Sequence, residues 1–117
     1  MKDSVIKDKS YSFALEIIKL CKQLSETNEY VISRQLLKSG TSIGANVEEA
    51  LAGQSRADFL SKMSIASKEA RETNYWLRLL RDSKIIHAQQ MSKLLTESDS
   101  LIRILTSIVK TTAKRQF

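Results

Sequence analysis

Between residues 59 and 80, Phe59, Met63, Ala66, Ala70, Thr73, Leu77 and Leu80 recur at alternating spacings of four and three. That rhythm holds for three heptads and places all seven side chains on one face of an α-helix, whereas a strand would need a period of two. A helix with such a stripe is stable only when other elements cover it. The rest of the chain can supply them, because it contains no proline and only three glycines in 117 residues, so little in it breaks a helix or makes a tight turn. An all-α fold is predicted, in one domain spanning 1–117, since this length suits a single core.

Three further segments show helical spacing. The first is predicted from about Ser10 to Leu24, with a possible start nearer Ser4. Phe13, Ile17, Leu20 and Leu24 form one apolar line and Tyr11, Ala14, Ile18 and Cys21 a second. The next runs from about Glu29 to Ala52 with Ile32, Leu36, Ser39, Ile43, Asn46 or Val47, and Ala50 inward. Thr27-Asn28-Glu29 carries capping chemistry for its start, and Gly53 marks its end. Ser55-Arg56-Ala57-Asp58 fits a capping box opening the heptad helix, which runs to about Asp82. After Asp82-Ser83-Lys84, Met91, Leu94, Ser98, Leu101, Leu105 and Ile108 form the line of a last helix, flanked by Leu95, Ile102 and Val109. Short connections make consecutive helices antiparallel neighbours, which is an up-down-up-down four-helix bundle. Cys21, the single cysteine, reads as a small buried hydrophobe.

Ser39-Gly40-Thr41-Ser42-Ile43-Gly44-Ala45-Asn46 interrupts the second helix with residues that favour other conformations. A loop is one reading. The inward spacing from Leu36 to Ala50 passes straight through, however, and favours a continuous helix whose small residues admit a neighbouring backbone. Asn46 and Glu49 on this helix, and Glu69 and Glu72 on the next, lie one turn apart near Lys62, Lys68 and Arg71. If buried they need partners, and a network between the two helices is expected; the alternative is a set of solvated side chains.

These residues carry a resemblance. Ser39 to Ala50, Asp58-Phe59, Ile65-Ala66, Lys68-Glu69-Ala70, Glu72-Thr73 and Tyr75-Trp76-Leu77 resemble the four-helix bundle proteins encoded in intervening sequences of bacterial 23S ribosomal RNA genes. The pattern is also similar to that of the accessory variability proteins of diversity-generating retroelements. Gly40, Ser42, Gly44, Asn46, Glu49, Glu69, Glu72 and Trp76 are its structural signature. The resemblance implies a homopentameric ring with a central channel and a basic outer surface. In the retroelement relatives it implies binding of a reverse transcriptase and of nucleic acid.

Chemistry for catalysis is sparse. A di-iron bundle needs Glu-x-x-His on two helices, but the only histidine, His87, is followed three residues later by Gln90. No phosphate-cradling glycine loop is present. A non-enzymatic protein without metal or cofactor is expected. Basic residues show more order: with 19 Lys and Arg against 13 Asp and Glu, the net charge is +6, which attracts polyanions. Arg71, Asn74, Arg78 and Arg81 share a face of the third helix with Tyr75 beside them, the chemistry of phosphate contact and base stacking. Arg103, Lys110, Lys114 and Arg115 lie in a stretch free of acids from residue 100 on. Both groups also read as solvated helix faces. Five subunits would carry +30 between them and repeat each stripe five times, so weak contacts would add. The expected partners are further copies of the chain and RNA or DNA, with a protein partner such as a reverse transcriptase as the alternative. The segment that opens the chain lacks a signal-peptide core, no membrane span is expected, and a cytoplasmic location follows.

Overall fold

The computed structural model describes the backbone of residues 2–116 and the side chains of residues 5–115. Four helices follow one another, α1 (Lys2–Glu26), α2 (Tyr30–Leu51), α3 (Arg56–Asp82) and α4 (Ala88–Gln116). Each packs on the next and α1 closes the circuit against α4, in a body of 48 × 20 × 20 Å. This is the up-down-up-down bundle predicted. None of the described helices is long and apolar enough to cross a membrane.

The inward lines of α3 and α4 are those of the sequence: Met63 to Leu80 and Met91 to Ile108 are buried, with Leu95, Ile102 and Val109 packed at the margin. On α1 the earlier of the two expected starts, near Ser4, is the one that holds to within two residues. The helix begins at Lys2, because Ile6 and Ser10, both fully buried, extend the line of Phe13, Ile17, Leu20 and Leu24 by two turns. The second predicted line divides. Cys21 is buried, but Tyr11 and Ile18 are 61% and 48% exposed. A helix at the corner of a bundle meets only two neighbours, so its apolar surface exceeds what they cover.

Helix ends correct two local expectations. Asn28 does not cap α2. It takes φ 65°, and the amides of Asn28 and Glu29 donate to the carbonyls of Ser25 and Leu24 at 3.1 and 2.9 Å. That is a Schellman stop for α1, with asparagine in the left-handed position that glycine usually fills. Residue 29 precedes α2 without a side-chain cap. Gly53 does lie just past α2 but without positive φ; a Cβ there would displace the Asp58 carboxylate and lie 3.0 Å from the Ala50 carbonyl, a tight fit that favours the glycine. Ser55 caps α3 as expected, its Oγ accepting from the Asp58 amide at 3.0 Å.

α2 runs unbroken through Ser39–Asn46. A Cβ on Gly40 would lie 2.8 Å from Ile17 Cγ2, and one on Gly44 would lie 3.5 Å from the backbone carbonyl of Ser10. The small-residue face therefore seats α1. The hydroxyls at core positions find partners: Thr73 Oγ1 donates to Ser39 Oγ across the α2–α3 seam at 2.9 Å, and Ser33 Oγ donates to the Cys21 carbonyl at 3.0 Å. Burial raises the Cys21 thiol pKa, with a smaller opposing effect from Ser33.

Candidate nucleic-acid interface

The antiparallel α3–α4 hairpin sets the start of α3 beside the end of α4, and Arg56 Nη1 donates to the Arg115 carbonyl at 2.9 Å. Further along, the surface between the two helices holds a groove of about 520 Å³. Arg71 of α3 and Arg103 and Lys110 of α4 line it, with Thr106, Thr111 and the partly buried Ile102. Arg71 Nη2 donates to Thr106 Oγ1 at 3.0 Å, which holds the guanidinium across the groove on a neutral partner and leaves its charge uncompensated. Arg103 and Lys110 are seven residues apart, about 10 Å along the axis. That matches roughly three phosphates of a strand at 3.4 Å each.

Towards the other end, Asn74 links the two helices, its Nδ2 donating to Ser98 Oγ at 2.9 Å and Asp99 Oδ1 at 3.2 Å. Its Oδ1 accepts from Arg78 Nε at 2.9 Å, and the Arg78 guanidinium lies 5.8 Å from the centroid of the Tyr75 ring. Arg78 is therefore oriented by an amide and an aromatic face, and, beside the larger effect of the Arg81 hydrogen bond, its charge also helps to lower the pKa of Asp82. Arg81 is different: its Nε sits 2.7 Å from Asp82 Oδ1. The hydrogen bond from Arg81 holds the Asp82 carboxyl below the ordinary carboxylate range, and Arg81 is raised in turn.

The predicted basic residues thus divide into four groups. Arg71, Arg103 and Lys110 meet in the groove, Arg78 stands beyond it over Tyr75, and Arg81 is paired with its neighbour. Lys114 and Arg115 are exposed in the last turn of α4. Arg56 and Thr106 were not singled out in the sequence. Their signal was the hairpin itself, which aligns residue 56 with 115 and brings Thr106 opposite Arg71.

Similarity to known proteins accounts for this architecture. The family model for 23S rRNA-intervening sequence proteins matches residues 2–107. The chain belongs to that family. A solved structure from Bacteroides thetaiotaomicron, a protein with unknown function from the S23 ribosomal protein family, is 50% identical, covering 94% of this chain and 99% of its own, with a TM-score of 0.90. None of the curated proteins matches.

In this family member the signature residues lie on α2 and α3, but the expected network between the helices largely closes within each one. Ser42 Oγ donates to the Lys38 carbonyl at 2.6 Å and Asn46 Nδ2 to the Ser42 carbonyl at 2.8 Å. On α3, Trp76 Nε1 donates to Glu72 Oε2 at 3.1 Å, and the Trp76 ring meets Tyr75 edge-on at 5.3 Å. Lys62 and Glu49, 3.0 Å apart, form the ion pair across the seam. Side chains at half-exposed positions reach their own preceding turn more readily than a neighbouring helix. Glu69 has its pKa raised, first by burial and then by Glu72, with Lys38 opposing. Among the described residues, no three His, Cys, Asp or Glu side chains gather as a metal site.

Proposed function

We propose that this protein is a non-enzymatic homo-oligomer, a ring of five, that binds RNA or DNA in the cytoplasm through its α3–α4 face. The groove carries the proposal: Arg71, Arg103 and Lys110 line it together with threonine hydroxyls, and α4 has no acid from residue 100 onward. Such a surface contacts phosphates and sugars, so it senses charge and shape and not base sequence. Asn74 anchors Arg78 over Tyr75, a neighbouring surface for stacking an unpaired base.

Assembly is supported by the other side of the bundle. Tyr11, Leu15 and Ile18, which are 61%, 46% and 48% exposed, recur on one face of α1, a spacing that suits an interface with another subunit. A protein partner, such as a reverse transcriptase, is the second reading of the same stripe.

Titration of labelled single- and double-stranded RNA and DNA, at about 50 mM and 200 mM salt, tests the proposal. Binding at low salt that weakens steeply at high salt is expected. Absence of binding to all four at low salt removes the nucleic-acid function and leaves the protein-adaptor reading. Light scattering that reports a monomer at micromolar concentration removes the ring.

A further inference from the structure

α1 and α4 are the neighbours that meet least, and a cleft of about 380 Å³ opens along their seam. Asp8, Lys9 and Ser12 line it from α1, and Glu97, Ser100 and Arg103 from α4, over the buried Leu101. Glu97 Oε1 is sealed from solvent and has no hydrogen-bond partner. Buried acceptors are satisfied in nearly all folded proteins, because stripping water from a charged oxygen without replacing its donor is unfavourable. A donor arriving from outside the chain would complete this one.

The remaining charges suggest what carries that donor. None of the three ion pairs among the described residues involves Asp8, Lys9, Glu97 or Arg103. Gln23 and Gln90 face each other across the α1–α4 seam, so in antiparallel register Lys9 lies near Arg103. Glu97 lies six residues back along α4, about 9 Å by helical rise. One end of the cleft is therefore cationic, with Asp8 offsetting part of it, and the other end presents an unpaired carboxylate oxygen. Two acids and two bases leave no net charge to favour a pure anion or a pure cation.

We propose that this cleft binds a small elongated zwitterion. The Glu97 carboxylate turns out into the cleft so that Oε1 gains the ammonium donor it lacks, the methylene chain lies on Leu101, and the acid group, carboxylate or phosphate, is held by Arg103 and Lys9. The volume lies within the range of small-molecule sites. The site is separate from the phosphate groove, although Arg103 borders both.

The test uses the full chain without nucleic acid, so its outcome does not depend on the function proposed above. Amide shifts in NMR are followed while 6-aminohexanoate, 6-aminohexyl phosphate, hexanoate or hexylamine is added. Saturable shifts confined to residues 8–12 and 96–103 are expected with at least one of the two zwitterions, with at least ~10-fold weaker binding of both single-ended compounds. The tighter zwitterion identifies the acid group. Glu97→Gln should weaken that binding by ~10-fold or more. Ser12→Trp, at an exposed position that tolerates bulk, should block it even if the Glu97 variant folds poorly. The proposal is overturned if neither zwitterion produces saturable shifts at 10 mM (~10-fold above a 1 mM dissociation constant), if hexanoate or hexylamine binds as tightly, or if Ser12→Trp leaves binding intact.

Discussion

The α1–α2 seam and the α3–α4 seam join antiparallel neighbours of similar length by opposite means. At the first, side chains are removed: Gly40 and Gly44 let α2 seat against Ile17 and the Ser10 backbone. At the outer margin of the second, side chains are long and polar. Asn74 ties the helices together, and Arg71 reaches across to Thr106 over an open groove. Close approach excludes water and makes the first seam intolerant of bulk, as any close-packed interior is. The helices of the second seam are also packed through their buried lines, but the outer margin of that seam is an open groove whose cationic groups stay hydrated and able to meet a polyanion. Both seams hold the bundle together, and the margin of the second is also available for recognition.

That contrast predicts a graded set of responses. Gly44→Leu should cause the largest loss, about 3 kcal/mol of unfolding free energy by chemical denaturation, since Ser10 presents backbone that cannot rotate away. Gly44→Ala should be close to neutral, because its Cβ would make near-ordinary contacts of 3.3 to 3.5 Å and alanine gains about 1 kcal/mol of helix propensity. If leucine is also neutral, the first seam is not a close contact.

Replacing Arg71, Arg103 and Lys110 together by alanine should leave folding nearly unchanged but weaken RNA binding by about 10- to 100-fold at low salt. The slope of log affinity against log salt should fall by about one per cation removed. An unchanged slope would mean that phosphates lie elsewhere on the molecule.

Smaller still is Thr73→Val, expected to cost about 1 kcal/mol by removing the hydroxyl bonded to Ser39. A double-mutant cycle with Ser39→Ala should recover part of that loss; strict additivity would show the two hydroxyls to be independent. The least effect belongs to Glu69→Gln. Its folded pKa is raised by burial, so ionisation disfavours the fold, and the disadvantage develops as pH rises from the unfolded carboxylate value through the raised one. The glutamine variant should therefore be slightly more stable than the parent at neutral pH, with the gain vanishing in acid. A gain that persists below pH 4 (about the unperturbed glutamate value) would assign it to something other than charge.

The inward residues of α3 and α4 were legible because strict four-three spacing is a local property of the chain. Ser10 hid the early start of α1: a polar residue at a core position looks like an end to the pattern when it is a member of it. Ser39, Thr73 and Ser98 were placed on core lines by spacing, yet their partners had to await the packing. Asn28 was misassigned because the same residue type serves helix starts and left-handed stops, and only φ distinguishes them.

Periodicity and the lack of helix breakers determined by themselves that four amphipathic helices would form and lie antiparallel, since both follow from backbone geometry and short connections. Tertiary structure decided which helix the glycines receive and which cationic side chains meet across a groove. Those outcomes depend on distances between residues far apart in the chain: Arg81 has its acid next to it in the sequence, whereas Arg71 meets Thr106 only once α3 and α4 are packed.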